Sequence, residues 1–280
     1  MINPSSDMKN VDPEFLKNKY TVRLSGNFNQ SFINDFVEKF KDVKNLDLST
    51  QYGVSNSFVY SLTNLEGLVI PLFKDDDFVL DGSRLSKKIY SLHISTYSKK
   101  KIINIDAFNQ TDLEHLTISD FTEKDLSLLS DLHNLKSLSF LTARIKSLKG
   151  IENMSGLKVL SLGGVKNLID ISHLSWLQNL KYLEFNICGK LQDFSIIQEL
   201  NDLEVLKLND CKNLASIKFV KNLMKLRELH TLGTTLIHDY DTTPAQDVPI
   251  YFGSRSNEKY NVSYPEKESK EGQKTASSFL

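Results

Sequence analysis

"LKVLSLGGVKNLIDISHLSWLQN", from Leu157 to Asn179, is followed at once by "LKYLEFNICGKLQDFSIIQELND", from Leu180 to Asp202. Both segments open Leu-Lys-x-Leu, carry a Leu and an acidic residue in the middle, and close on an apolar run with helical spacing. Aligned on the opening Leu, apolar residues recur at positions 1, 4 and 6: Leu157, Leu160 and Leu162, then Leu180, Leu183 and Phe185. Leu203, Leu206 and Leu208 continue the series. Upstream it is filled by Leu135, Leu138 and Phe140, by Leu113, Leu116 and Ile118, by Ile89, Leu92 and Ile94, by Leu65, Leu68 and Ile70, and by Val43, Leu46 and Leu48. From Val43 to Leu226 the units begin 22, 24, 24, 22, 22, 23, 23 and 23 residues apart. Val22 and Leu24 mark a degenerate unit before them, Leu226 and Leu229 a weaker one after.

Each unit has two textures. Its first six residues alternate apolar and polar, which is strand periodicity. Its second half, as in "FSIIQELNDL" (Phe194 to Leu203) and "IKFVKNLMKL" (Ile217 to Leu226), spaces apolar residues three and four apart, as one helical face does. "SFINDFVEKF" (Ser31 to Phe40) has the same spacing. A lone unit of this size cannot bury its apolar face, but stacked neighbours make a continuous core. A strand, return and parallel strand built on a full helix needs about 30 residues or more. The shorter period here leaves room for a short helix or 3-10 turn only, which is solenoid spacing.

Leu-x-x-Leu-x-Leu at this period resembles the leucine-rich repeat family, over roughly residues 19 to 233, and within it the short bacterial, internalin-like class. The resemblance implies an α/β fold: a leucine-rich repeat solenoid, a curved right-handed superhelix with a parallel β-sheet on its concave face and short helices or 3-10 turns on its convex face. The organisation expected is an N-terminal cap and degenerate first repeat over 1–42, the solenoid over 43–233, a C-terminal capping segment over 234–265 and a disordered tail over 266–280. Within the capping segment, "VPIYFGSRSNEKYNVSY" (Val248 to Tyr264) alternates on both sides of a Gly-Ser turn and reads as a β-hairpin. Internalins are secreted. The opening "MINPSSDMKNVDPEF" has no basic segment followed by an apolar one, so the expected location is the cytoplasm.

The family's usual Asn at position 9 is replaced by Gln51, Phe73, Tyr97, Phe121, Ala143, Val165, Cys188 and Cys211. This position should point inward, which makes the two cysteines small buried hydrophobes on adjacent rungs, reduced and inert. The rest of the composition excludes more than it selects. Hydrophobic residues make up 40% and charged residues 25% of the 280, and the net charge is −1, so no global field draws nucleic acid or anionic lipid. No apolar run reaches the ~18 residues of a membrane span.

Three features invite chemistry. "DDD" (Asp75 to Asp77) and "KKK" (Lys99 to Lys101) fall at the same height on neighbouring rungs and read as a charge ladder between loops, not as metal and phosphate sites. Of the histidines, His93, His115 and His230 fall on outward strand positions. His93 and His115, with Ser91, Ser95, Ser119 and Asp120 nearby, allow a Ser-His-Asp arrangement or a two-His metal site to be drawn. A hydrolase around His93 and His115 is therefore the alternative reading. Against it, an open sheet face offers neither a dry site nor free amides for an oxyanion, and the sequence has no G-x-S-x-G, H-E-x-x-H or phosphate-cradling Gly loop. No cofactor or metal is called for.

What the architecture displays is the row of outward strand residues. The middle rungs offer small hydroxylated side chains. The C-terminal rungs offer Tyr182, Glu184, Asn186, Ile187, Lys207, Asn209 and Asp210, an aromatic among charges and amides, as interfaces do. Nine or ten strands make a face roughly 45 Å long, suited to a protein footprint of ~800 Å² more than to a small ligand. The expectation is a non-catalytic scaffold, monomeric when free, that binds a protein partner through Tyr182, Glu184, Asn186, Lys207, Asn209, Asp210, His93, His115 and His230. Its sharper form is an intracellular antagonist, such as a bacterial immunity protein neutralising a cognate toxin.

Overall fold

The computed structural model describes residues 1–3, 5–6, 21–253, 259–262 and 274–280. The chain divides into two compact units, Met1–Asp120 and Phe121–Leu280. Each is a leucine-rich-repeat stack in which a short parallel strand, an ascending loop and a tight return make one rung.

In the first unit the strands are β1 (Thr21–Asn27), β2 (Asn45–Tyr52), β3 (Gly67–Pro71), the two-residue β4 (Leu80–Asp81), β5 (Ser91–Thr96), the two-residue β6 (Ile102–Ile103) and β7 (His115–Ile118). β1, β2, β3, β5 and β7 are parallel neighbours in that order, while β4 pairs with β6 on the return side. The helix Gln30–Lys39 begins where the Asn29 side chain accepts the Phe32 amide at 2.9 Å, and it buries Ile33 and Phe36. It is the sole α-helix among the described residues. Most of the other returns carry a short 3-10 turn, and the return between Phe140 and Val159 carries neither helix nor 3-10 turn.

The second unit contributes β8 (Ser137–Phe140), β9 (Val159–Gly163), β10 (Tyr182–Asn186), β11 (Val205–Asn209), β12 (Glu228–Thr231) and β13 (Ile250–Gly253), again parallel and in sequence order. Register follows the repeat: Leu160, Leu183, Leu206 and Leu229 lie abreast on successive strands, all fully buried. After the strand the chain must turn into the ascending loop, and in five rungs position 8 makes that turn in the left-handed region. The residues there are Asp120, Gly164, Ile187, Asp210 and Gly233, with φ between 54° and 68°. Gly163, one step earlier, is required by close approach: a Cβ there would stand 2.7 Å from Leu141 O and 2.8 Å from Phe140 O.

Several expectations need revision. Of the eight residues named at position 9, seven are buried and Phe73 is 44% exposed. The pairing of β3 with β5 slips by one residue between Ile70 and Pro71, so Leu72 takes the inward place opposite Tyr97. The same slip sets Lys101 beside Asp76, where its ammonium bonds the backbone carbonyl and not the carboxylate. Cys188 and Cys211 are free and fully buried, and the Cys211 sulfur beside it together with burial pushes the Cys188 thiol up. The hairpin is met in its first half only. β13 pairs in parallel with β12, and residues 260–262 form no second strand. They latch by hydrogen bonds instead: the Tyr260 hydroxyl accepts the Ile237 amide at 3.1 Å, and the Asn261 side-chain Oδ1 accepts the Thr242 amide at 2.9 Å. The Gly-Ser turn and Tyr264 lie outside the described residues. The tail, expected to be disordered, is ordered over its last seven residues, which pack on the sheet.

Candidate partner-binding face

The alternation that sends Leu183 and Phe185 inward sends their neighbours Tyr182, Glu184 and Asn186 to the opposite face of β10. Parallel pairing then aligns rows across the rungs. Val159, Tyr182, Val205 and Glu228 make one row; Ser161, Glu184, Lys207 and His230 the next; Gly163, Asn186 and Asn209 the third. The first row is an apolar stripe ending in a carboxylate, and it is covered. The segment 274–280, with its 3-10 turn Ala276–Phe279, lays Ala276 and Phe279 on Val159, Tyr182 and Val205. Phe279 meets the Tyr182 ring at 6.2 Å between centroids, leaving Tyr182 only 4% exposed.

Charges fix this arrangement. Glu228 is 1% exposed. Its Oε1 accepts His230 Nε2 at 2.6 Å and lies 3.8 Å from Lys207 Nζ, while Oε2 accepts the Lys274 amide at 3.2 Å. Burial alone would raise its carboxyl, but His230, Lys207 and the Lys274 amide outweigh that and hold it below the usual range. Glu204 accepts Lys181 Nζ at 3.2 Å and Lys274 Nζ at 3.0 Å, which overcome its burial in the same way. Lys207 lies over the Tyr182 ring, 5.4 Å from its centre. Tyr182 donates its hydroxyl proton to Glu184 at 2.9 Å, and Ser161 donates to the same oxygen at 3.1 Å. Burial pushes the Tyr182 phenol up, and the Glu184 charge adds to the effect.

The structure therefore brings Tyr182, Glu184, Lys207 and His230 into one network. Asn186 and Asn209 flank it on adjacent rungs, and the Oδ1 of each is buried without a hydrogen-bond donor among the described residues. Asp210 is spent on the fold: its carboxylate accepts both the amide and the hydroxyl of Thr234, at 2.8 and 3.0 Å. Ile187, between Asn186 and Cys188, is 42% exposed and left-handed, an arrangement that costs a β-branched residue ~1–2 kcal/mol.

His93 and His115 belong to the first unit, and each has its own partner. His93 Nε2 is 3.3 Å from Ser119 Oγ, and burial pushes its ring pKa down, partly offset by the Asp47 charge. That carboxylate is already held by Arg23 Nε at 2.7 Å and the Ser49 amide at 2.9 Å. The Ser119 amide is bonded to Ile94 O at 2.9 Å. The Asp47 carboxylate and the Ser119 amide are thus both engaged elsewhere among the described residues. His115 Nε2 meets the Tyr90 hydroxyl at 2.5 Å, its ring edge-on to the tyrosine, and burial lowers its pKa also. Among the described residues no three His, Cys, Asp or Glu side chains are grouped to hold a metal ion.

Six contributors lie outside the set of residues expected from the sequence: Val159, Val205, Glu204, Glu228, Lys274 and Phe279. A signal for them exists. Val159, Tyr182 and Val205 are three successive apolar residues at an outward position, a stripe that asks for cover, and Phe279-Leu280 is an apolar pair closing a polar tail.

No helix among the described residues is long and apolar enough to cross a membrane. No protein-family model and no curated protein matches the sequence. Solved structures do match in fold. Internalin inlF from Listeria monocytogenes aligns at TM-score 0.54 and 20% identity, over 83% of this chain and 70% of that one. Internalin C2 (inlC2) from the same organism aligns at TM-score 0.50 and 22% identity, over 72% of this chain and 83% of that one. The fold of this chain is that of the leucine-rich repeats, in the short-rung form that the internalins share.

Proposed function

We propose that the chain is a non-catalytic scaffold for protein recognition that takes a protein partner on the outward face of β9 to β12. One observation carries this reading: that face combines an apolar stripe with oriented charges, and it already holds a peptide segment. Central aromatics set among fixed polar neighbours are what hot spots consist of. The experiment is a pull-down with the full chain, repeated with Tyr182→Ala combined with Val205→Lys. Both side chains lie on the face opposite the Leu183 and Leu206 core, so circular dichroism should match the parent. Truncating a central aromatic commonly costs ~2 kcal/mol or more of binding, and the variant should lose its partner. Undiminished capture refutes the placement.

The finer reading is an antagonist acting in the cytoplasm as a monomer, an immunity protein that neutralises a cognate toxin. A preformed face and a dedicated charged patch support it, since preorganisation favours tight binding. A toxin encoded beside this gene should be captured by the parent and neutralised by it, and not by the Tyr182/Val205 variant. A captured partner that is no toxin removes the antagonist role and leaves the scaffold.

A further inference from the structure

We infer that the outward face of β9 to β11 is a peptide-recognition site for a short segment that presents a lysine and, five residues later, an aromatic ring, and that residues 274–280 fill it in the free protein. The inference rests on the proposed docking face and specifies the chemistry of what docks there.

The covered surface is built for an occupant. Val159 and Val205 are fully buried on the side away from the leucine core, and Glu228 is 1% exposed. Glu228 and Glu204 aim their oxygens at one visitor: the first accepts the Lys274 amide, the second the Lys274 ammonium. The Lys274 ammonium also lies 5.2 Å from the centre of the Phe279 ring, so the cation and the aromatic form one compact head.

The occupant, by contrast, is lightly held. Of its seven residues only Lys274, Ala276 and Phe279 are even half-buried. Its remaining polar contacts are internal, with the Thr275 and Ser278 side chains closing a capping box around the 3-10 turn. A segment that short forfeits chain entropy when ordered and has little burial to offset it. It persists through being tethered, at an effective concentration of order millimolar. A partner segment with the same head and a larger footprint displaces it.

The test uses the full chain and a fluorescein-labelled peptide, Lys-Thr-Ala-Ser-Ser-Phe-Leu, blocked at both ends. Wild type should bind it weakly, because its own segment competes. The variant Lys274→Ala combined with Phe279→Ala, whose changes lie outside the leucine core, should bind it at least ~10-fold tighter by fluorescence anisotropy. Phe279→Ala alone should show an intermediate gain. Peptides with the Phe replaced by Ala or the Lys by Glu should lose ~10-fold on the double variant. Equal binding to wild type and double variant overturns the inference, as does an Ala peptide that binds as well as its parent. If the peptide fails while Tyr182→Ala with Val205→Lys still abolishes partner capture, the peptide inference falls and the docking face stands. If the peptide binds as described while capture is untouched, the docking face falls alone.

Discussion

Glu228 is the residue whose loss the structure makes most costly on this face. Its carboxylate is 1% exposed, and it meets His230 at 2.6 Å and Lys207 at 3.8 Å. At 3.8 Å, with an effective dielectric constant near 20, the Lys207 pair alone is worth about 4 kcal/mol in Coulomb terms. Desolvation offsets much of that while the pair is intact, but removing one partner leaves the other buried and uncompensated, typically at ~3–5 kcal/mol. Glu228→Ala should therefore lower unfolding free energy in urea by about 3–5 kcal/mol at pH 7. Glu228→Gln keeps the shape and one acceptor for His230, and should cost about 2 kcal/mol. The sign with pH follows from the carboxyl being held below its usual 4.5. A group depressed in the folded state contributes fully above its unfolded value, and the contribution is lost as pH falls through the folded value. The gap between wild type and Glu228→Gln should be full at pH 7 and close below pH about 4.5. A Gln variant within about 0.5 kcal/mol of wild type at pH 7, or a gap unchanged at pH 3, refutes the reasoning.

Leu183→Ala removes a fully buried side chain from the inward row and should cost ~2–5 kcal/mol in the same urea assay while leaving the docking face chemically intact; a loss under about 1 kcal/mol contradicts the assigned register. Cys188 and Cys211 should resist a thiol reagent in the native protein and react on unfolding, since both are fully buried and the Cys188 thiol is pushed up. Replacing both with Val should change stability by about 1.5 kcal/mol or less.

The stack was legible because its signal is redundant. Leu157, Leu160 and Leu162 are all fully buried, and the same three slots recur rung after rung, so one misread unit cannot shift the rest. Two successive intervals stretch to 24 residues, and where their strands pair the register slips, so that Leu72, one place before Phe73, enters the core. No count from the opening residue reveals where a bulge falls. The outward placement of the strand residues was legible, and the charge partners they meet were not. Alternation places Lys207 outward, where a change to Glu looks harmless. In the structure it would set a second carboxylate against Glu228. His93 and His115 share the outward pattern, but each is occupied by a neighbour, Ser119 or Tyr90, that the pattern does not weigh. The tail was hidden for a different reason. Its composition is polar, and its contact with β9 to β11 spans far more sequence than any local signal reaches: Lys274 meets Glu204 across 70 residues.

The third row of the face says how far recognition extends beyond the segment now bound there. Phe279 covers the Val159 row, and Lys274 satisfies Glu204 and Glu228. Nothing among the described residues donates to Asn186 Oδ1 or Asn209 Oδ1, which are buried side by side on adjacent rungs. A buried acceptor left without a donor costs ~1–3 kcal/mol. Next to them Ile187 is held exposed in a left-handed turn where Gly164, Asp210 and Gly233 sit at the equivalent positions of neighbouring rungs. The left-handed turn belongs to the repeat, and in this rung a β-branched residue fills it. The bound segment thus satisfies the apolar and acidic part of the face and leaves its amide part unmet. On the proposed reading, a ligand that extends past Phe279 over the partly exposed Asn186 and Asn209 side chains would make contacts that residues 274–280 do not.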